Sequence, residues 1–222
     1  MGRGKQPVSG ETAGLRSKAS STLSEDEKIT LATYEEKAEV WNGSRGGTPD
    51  FWQQEINVFQ SMLDGNKILD VGSGNARDAS IFVSDGYDVT GVDISPSLLE
   101  IARRNCPEAE FRLASVYELP FEDNSFDGVW MAASLLHLPK NKASVALAEV
   151  KRVVKEKGVV FISVKKGQGE KFEEDEVGKR FFSYYENNEF QSLLEEAGFH
   201  IAQLTESQRA RGVEWICAFS TI

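Results

Sequence analysis

The sequence predicts an α/β protein with a mostly parallel β-sheet, because short apolar runs alternate along the chain with amphipathic helical segments. Two further observations indicate where its site lies. Gly72 and Gly74 form a glycine turn just after the first of these runs, and Asp93 ends the second. Since ligands of parallel α/β sheets bind at the carboxyl ends of the strands, both features are expected at one edge of the sheet.

Residues 1–26 are predicted to form a disordered tail that precedes one domain, residues 27–222. The tail is rich in Gly, Ser, Lys and Arg and contains almost no large apolar residue, so it cannot form a packed element. It lacks the apolar stretch of a secretory signal. An organelle transit peptide is the alternative interpretation of this segment.

Two helices are predicted before the first strand. The first spans residues 25–41, where Ser24 and Glu27 have the spacing of a capping box. The second is expected to begin with Asp50 as its N-cap. Its apolar positions recur at helical spacing: Trp52, Ile56, Phe59 and Leu63.

The rest of the chain alternates between strands and helices. Strands are predicted at residues 67–71, 87–92, 110–113, 126–131, 158–164, 199–204 and 213–219, the last two as an antiparallel pair. Helices are predicted at residues 76–84, 95–105, 140–154 and 187–197, and Gly198 ends the last of them. The polar segment 165–179 contains an acidic run that is expected to be a solvated loop.

The glycine turn does not have the fingerprint of a dinucleotide-binding protein. The pattern G-x-G-x-x-G would need a third glycine at position 77, which is Arg77. Asp70, two residues before Gly72, would repel a pyrophosphate group. A carboxylate at this position suits a ligand that carries an ammonium group, such as the methionine part of S-adenosylmethionine.

The run from Asp70 to Gly74 (DVGSG) resembles motif I of the class I S-adenosylmethionine-dependent methyltransferases, in particular a methyltransferase type 11-like domain. The resemblance extends from about Tyr34 to the C-terminus. It departs from the family at Ala76, where another glycine is usual, and this alanine is expected to begin the following helix. The resemblance implies a Rossmann-like three-layer sandwich, with a seven-stranded mostly parallel sheet that ends in an antiparallel hairpin. It also implies S-adenosylmethionine as the cofactor.

The cofactor site is expected to use both strand ends. Asp93 can accept hydrogen bonds from both hydroxyls of a ribose, or it can simply cap the helix that follows. Ile94 could cover one face of the adenine. Ser115 stands where the family has an acid that meets the adenine amino group. The predicted cofactor-binding residues are Asp70, Gly72, Gly74, Asn75, Asp93, Ile94, Ser115, Val116 and Met131.

The loop after the fourth strand should face the transferred methyl group. The resemblance argues against adenine, cytosine and glutamine acceptors, because members that methylate them have an acid or Asn followed by Pro-Pro and an aromatic residue here. His137 is the candidate general base, with a structural role as the alternative. No other catalytic residue is proposed from the sequence. The substrate-pocket candidates are Tyr34, Trp41, His137, Arg180 and Tyr184.

Composition limits the partners. The net charge of −10 disfavours a nucleic-acid partner, and no apolar run approaches the ~20 residues of a membrane span. Cys106 and Cys217 do not have the spacing of metal ligands, so no metal is expected. A cytoplasmic location is expected. The sequence thus favours a methyltransferase for a small-molecule acceptor. The alternatives are a tRNA or protein acceptor, and a non-catalytic S-adenosylmethionine-binding partner module. The oligomeric state stays open.

Overall fold

A seven-stranded β-sheet lies at the centre of the computed structural model, which describes residues 22–44, 51–209 and 212–222. Its strands are β1 (Lys67–Val71), β2 (Asp88–Asp93), β3 (Glu110–Leu113), β4 (Phe126–Met131), β5 (Val154–Lys165), β8 (His200–Gln208) and β9 (Glu214–Thr221). The strand order is β3-β2-β1-β4-β5-β9-β8. Strands β1 to β5 pair in parallel, whereas β9 is antiparallel to both β5 and β8. The predicted fold class is confirmed.

Helices precede the sheet and connect its strands. They are α1 (Glu25–Ser44), α2 (Gln53–Met62), α3 (Arg77–Ser84), α4 (Pro96–Asn105), α5 (Lys140–Val153) and α6 (Asn187–Glu196). Helix α1 begins with the predicted capping box, because the Ser24 N–H donates to Glu27 Oε2 and the Glu27 N–H donates to Ser24 Oγ. Among the described helices, none has the length and apolarity needed to cross a membrane.

The main core is packed around the central strands. Trp130 of β4 stacks on Phe161 of β5 with ring centroids 4.0 Å apart, and both side chains are fully buried. Phe59 of α2 and Phe82 of α3 pack against the Trp130 ring. The Trp130 indole N–H donates to Asp78 Oδ2 at 3.0 Å, and Asp78 lies in the first turn of α3. The core therefore holds in place the helix that follows the glycine turn.

The acidic segment that was expected to be a loop is a β-hairpin. Strands β6 (Glu170–Asp175) and β7 (Gly178–Ser183) pair antiparallel, and Gly178 adopts a φ of +120° at the turn. The charge density of the segment suggested a solvated loop. However, the register places Glu173 opposite Arg180, so the charges of one strand meet the opposite charges of the other.

Other differences concern where elements begin. The predicted tail, residues 1–26, falls mostly on residues 1–21, which lie outside the described residues; among the described ones, Leu23 is buried and α1 begins at Glu25. Asp50 also lies outside them, and α2 has Trp52 at its N-cap position. Strand β5 begins at Val154, directly after α5.

Candidate active site

A cavity of about 520 Å³ lies at the carboxyl ends of β1, β2 and β4. Its wall brings together the glycine turn, helix α1, the loop after β4 and strand β7. Twelve of the fourteen residues predicted for the site line it, namely Tyr34, Trp41, Asp70, Gly72, Gly74, Asn75, Asp93, Ile94, Ser115, Val116, His137 and Arg180. Residues far apart in sequence thus meet in one space, with the glycine turn at one end and Arg180 among the residues at the other.

The glycine turn has a backbone that side chains would not fit. Gly72 has a φ of +76° and Gly74 a φ of +54°, both in the left-handed region. A Cβ on Gly74 would lie 2.9 Å from the Trp41 ring, and one on Gly72 would lie 2.3 Å from the Ser134 hydroxyl. Ala76 also has a positive φ, +66°, so it stands at the N-cap position of α3 rather than inside the helix. The expectation that it would be helical is wrong, because the turn needs a third left-handed residue here.

Asp93 ties this turn to the second strand. Its Oδ2 accepts the Gly74 N–H at 3.0 Å and its Oδ1 accepts the Ser95 N–H at 2.8 Å. The N-cap of α4 is Ser95, whose hydroxyl accepts the Leu98 N–H, so Asp93 is not itself the cap. Burial raises the pKa of Asp93, although the backbone N–H groups oppose the shift. Its carboxylate is therefore fixed at the cavity wall.

Asp70 is a buried acid at the end of β1. Only 3% of its surface is exposed, and no described residue donates a hydrogen bond to its carboxylate. Burial raises the pKa of Asp70 well above its usual value, and the nearby charges of Asp78 and Asp93 raise it further, while Arg77 acts in the opposite direction. The Arg77 guanidinium itself bonds Asp78, with Nε 2.6 Å from Oδ1. A cation bound next to Asp70 in the cavity would favour the ionised form of this carboxyl group.

The remaining cofactor candidates surround these acids. Asn75 donates to Asn42 of α1 at 2.8 Å, and the Ser115 hydroxyl accepts the Tyr117 N–H at 3.3 Å. Ile94 and Val116 contribute apolar surface to the wall. Met131 does not line the cavity. The prediction for it is wrong because its side chain is completely buried in the core, and the residues that follow it reach the cavity instead.

His137 is held by two hydrogen bonds. Its Nδ1 lies 2.8 Å from the Phe181 carbonyl oxygen, which can only accept, so Nδ1 carries the proton. Its Nε2 then accepts from the Tyr34 hydroxyl at 3.0 Å. Burial lowers the pKa of His137 to about 3. A neutral imidazole with both nitrogens engaged is a weak general base, and the geometry favours the structural alternative, in which His137 positions Tyr34.

Strand β7 and its neighbours close the other end of the cavity. Arg180 is 4% exposed, and its Nη2 pairs with Asp175 Oδ2 at 2.6 Å. Tyr184 does not line the cavity, and its hydroxyl donates to Glu173 on the neighbouring strand β6. The prediction of a pocket role for Tyr184 is therefore not supported, because the side chain is engaged on the hairpin.

Several lining residues were missed by sequence reasoning. Lys165 and Trp215 stand opposite each other in the β5–β9 register, and the Lys165 Nζ lies 3.6 Å from the centroid of the Phe182 ring. The other missed aromatic residues of the wall are Phe51, Trp52 and Tyr117. The only sequence signal for Trp215 is its place near the start of the last strand. Which residue of β5 lies opposite Trp215 depends on the register of the β5–β9 pair, which the sequence does not give.

A family model described as a methyltransferase domain matches residues 69–162. This range contains the glycine turn, Asp93 and the loop after β4. The match confirms the resemblance of the DVGSG run to this kind of domain.

Two curated relatives show how far the similarity extends. The demethylmenaquinone methyltransferase of Renibacterium salmoninarum is 30% identical over 112 residues, which are 50% of this chain and 46% of that protein. The O-methyltransferase cnsE of Penicillium expansum is 30% identical over 166 residues, which are 69% of this chain and 59% of that protein. The chain spans about half the length of the curated relatives it matches.

Solved structures share the fold at low identity. The 1,6-didemethyltoxoflavin-N1-methyltransferase of Burkholderia thailandensis, with bound 1,6-didemethyltoxoflavin and S-adenosylhomocysteine, gives a TM-score of 0.69 at 21% identity, over 99% of this chain and 92% of that one. The magnesium protoporphyrin IX methyltransferase of Synechocystis PCC 6803, with bound S-adenosylhomocysteine, gives a TM-score of 0.71 at 16% identity. The alignment covers 89% of this chain and 99% of that one. The [4+2]-cyclase SpnF gives a TM-score of 0.69 at 18% identity, over 88% of this chain and 95% of that one. These similarities show that the chain shares the fold of these proteins, and residues 69–162 match the methyltransferase-domain model.

Proposed function

We propose that this protein is an S-adenosylmethionine-dependent methyltransferase that acts on a small-molecule acceptor. The observation that carries the proposal is the pair of carboxylates, the buried Asp70 and the partly buried Asp93, that flank the glycine turn in one cavity. Asp93 is oriented by backbone N–H groups and suits the two hydroxyls of a ribose. Asp70, which receives no hydrogen bond from a described residue, suits an ammonium group. S-adenosylmethionine carries both groups.

The other residues of this end fit the rest of the cofactor. Ile94 and Val116 would provide apolar contacts for the adenine ring, and the Ser115 hydroxyl a polar one. The absence of side chains at Gly72 and Gly74 leaves room for the methionine chain to approach the backbone. When bound, S-adenosylmethionine supplies an activated methyl group on a positive sulfur, which an acceptor atom takes by in-line displacement.

The protein's own contribution is positioning and the exclusion of water. Helix α1 covers the cavity through Tyr34 and Trp41, and the Tyr34 ring is fixed by its bond to His137. Because His137 is a weak base, this site suits an acceptor atom that loses its proton readily to water. A cavity of about 520 Å³ is within the usual range for small ligands. Some of the curated relatives are also named for small acceptors, namely demethylmenaquinone and 2-methyl-6-phytyl-1,4-hydroquinone.

Calorimetric titration with S-adenosylmethionine and S-adenosylhomocysteine tests the proposal. We expect micromolar binding by the wild type and a loss of at least about tenfold in Asp93→Ala, because a hydrogen bond to a charged group contributes about 1.5–3 kcal/mol. Asp88→Ala is the matched control, since Asp88 is an exposed residue at the opposite end of β2. If folded wild-type protein binds neither compound, the proposal is wrong.

Turnover separates a methyltransferase from a binding module. Purified protein is incubated with a metabolite extract and S-adenosylmethionine that carries an isotope-labelled methyl group. We expect the label to appear in a small molecule. Tight cofactor binding with no labelled product in any extract would instead favour a non-catalytic partner module.

A further inference from the structure

Arg180 has an unused hydrogen-bond donor at the acceptor end of the cavity. Its Nη2 pairs with Asp175 and its Nη1 donates to the Tyr34 hydroxyl at 3.3 Å. Its Nε is buried and has no partner among the residues that the structure describes. Leaving a charged donor buried and unpaired is costly, so a ligand group that accepts this N–H would be stabilised there.

The charges around Arg180 are arranged with the cations towards the cavity. Lys165 also lines it, next to the Phe182 ring. The acids that pair with these two cations, Glu173 and Asp175, belong to strand β6 and do not line the cavity. A ligand at this end therefore meets two positive groups, while the acids paired with them lie behind. Glu27 of α1 also lines the cavity, and it pairs with Lys142 at 3.2 Å.

The remainder of this end is apolar. Leu136 and Leu138 of the loop after β4 contribute aliphatic surface, and Phe182 and Trp215 contribute aromatic surface. Trp215 packs edge-on against Trp52, with ring centroids 5.1 Å apart. Such a wall favours a ligand that is mostly apolar and carries its charge at one point, where it meets Arg180.

Two aromatic rings separate Arg180 from the glycine turn. Trp41 packs against Gly74, and Tyr34 packs edge-on against Trp41 with ring centroids 6.0 Å apart. The Arg180 guanidinium lies beyond them, 5.7 Å from the Tyr34 ring centroid. Because two rings lie between Arg180 and the glycine turn, we place Arg180 with the acceptor rather than with the methionine end of the cofactor.

We propose that the methyl acceptor is a largely apolar molecule with a carboxylate group, and that the Arg180 guanidinium binds this carboxylate through Nε. The assignment rests on the proposed function, because it divides the cavity into a cofactor end and an acceptor end. Arginine suits the role because its planar guanidinium matches the geometry of a carboxylate and stays charged when buried.

A pair of probes that differ only in charge tests the proposal on the wild-type protein. The probes are 2-naphthoate and 2-naphthamide, titrated by calorimetry into the free protein and into the protein saturated with S-adenosylhomocysteine. We expect naphthoate to bind at least tenfold more tightly in both. Equal affinities would overturn the assignment. If S-adenosylhomocysteine itself fails to bind, the proposed function is wrong, and the titration of the free protein still decides whether the cavity prefers a carboxylate.

Variants locate the preference at Arg180. Arg180→Met should abolish the preference for naphthoate, and Arg180→Lys, which keeps the charge without the Nε donor, should reduce it. Arg112→Met is the matched control, because Arg112 is partly exposed and does not line the cavity. A preference that survives in a folded Arg180 variant, checked by circular dichroism, would overturn the assignment. The lysine variant and the wild-type probes decide the question if the methionine variant does not fold.

A last arm distinguishes the two sources of a carboxylate, the acceptor and the cofactor itself. S-adenosylhomocysteine and methylthioadenosine share the nucleoside, but only the first carries a carboxylate. We expect Arg180→Lys to leave the affinities for both nearly unchanged. If the variant weakens S-adenosylhomocysteine and not methylthioadenosine, Arg180 holds the cofactor's carboxylate and the proposal is wrong.

Discussion

The two ends of the cavity are built in different ways. At the cofactor end, neighbouring strands provide the structure through their backbones. The Val92 carbonyl oxygen accepts the N–H groups of both Gly72 and Ser73, at 2.8 and 3.0 Å, and Asp93 accepts that of Gly74. These residues belong to the centre of the sheet, so this end should be as stable as the core itself.

At the acceptor end, side chains from distant parts of the sequence provide the structure. Tyr34 and His137 are 103 residues apart, and Tyr34 and Arg180 are 146 apart. Helix α1 has its own small apolar cluster with α4, formed by Ala38, Leu98 and Ile101, which is separate from the main core. We therefore expect the acceptor end to open locally more readily than the central sheet.

The largest effect is expected from adding a methyl group to the glycine turn. Gly74→Ala should weaken S-adenosylhomocysteine binding by at least about tenfold, because the new Cβ meets the Trp41 ring and the positive φ disfavours alanine. Gly86→Ala is the matched control, since Gly86 has a φ of +93° but open space around it. Both variants should lose about 1 kcal/mol in urea denaturation, and only Gly74→Ala should lose affinity in calorimetry. Equal affinities would show that the turn does not contact the ligand.

A second effect concerns pH. The pKa of Asp70 is raised in the ligand-free protein, and a bound ammonium group would lower it. Binding therefore favours the ionised carboxylate. The affinity for S-adenosylhomocysteine should rise with pH, by at most about tenfold per unit, between the bound and the free pKa of Asp70, and become constant above the free value.

Two controls assign this dependence. Methylthioadenosine lacks the ammonium group and should bind with little change over the same pH range. Asp70→Asn should bind S-adenosylhomocysteine more weakly and without the rise. An unchanged pH dependence in Asp70→Asn would mean that another group causes it.

A smaller effect is expected at the acceptor end. Tyr34→Phe removes the hydroxyl that donates to His137 and leaves the buried Nε2 without this partner. The free energy of unfolding should fall by about 1–3 kcal/mol in urea denaturation. The affinity for S-adenosylhomocysteine should stay within about threefold, because nothing at the glycine turn changes. Thr33→Ala, on the same helix, is the control. A large loss of affinity for S-adenosylhomocysteine in Tyr34→Phe and not in the control would show that the two ends are coupled.

The same contrast explains what could be predicted from the sequence. The cofactor end depends on residues close together in the chain, whose types have local meaning: Gly72 and Gly74 for a turn with positive φ, and an acid at each strand end. Even there, Ala76 was misplaced, because an alanine in the left-handed region gives no local signal. Met131 was misplaced because the direction of one side chain at a strand end depends on the packing of the core.

The acceptor end depends on pairings that the sequence does not reveal. Arg180 reaches the cavity because residues 170–183 form a hairpin. The acidic composition of this segment predicted a loop and gave no signal of strands. Trp215 reaches it through the register of β9 on β5. His137 was found, but the partners that make it a weak base, Tyr34 and the Phe181 carbonyl, are brought to it only by the tertiary fold.

The cluster of Asp70, Asp78 and Asp93 also affects the stability of the whole molecule. Three acids around one space repel one another, with Arg77 as the compensating charge that acts on Asp70. A cationic ligand relieves this repulsion only in the folded state, so it adds to the free energy of unfolding, by about 2.7 kcal/mol at a hundred times its Kd. A chain of marginal stability would then accumulate in the cell in proportion to its methyl-donor supply, with the metabolite acting as a folding aid.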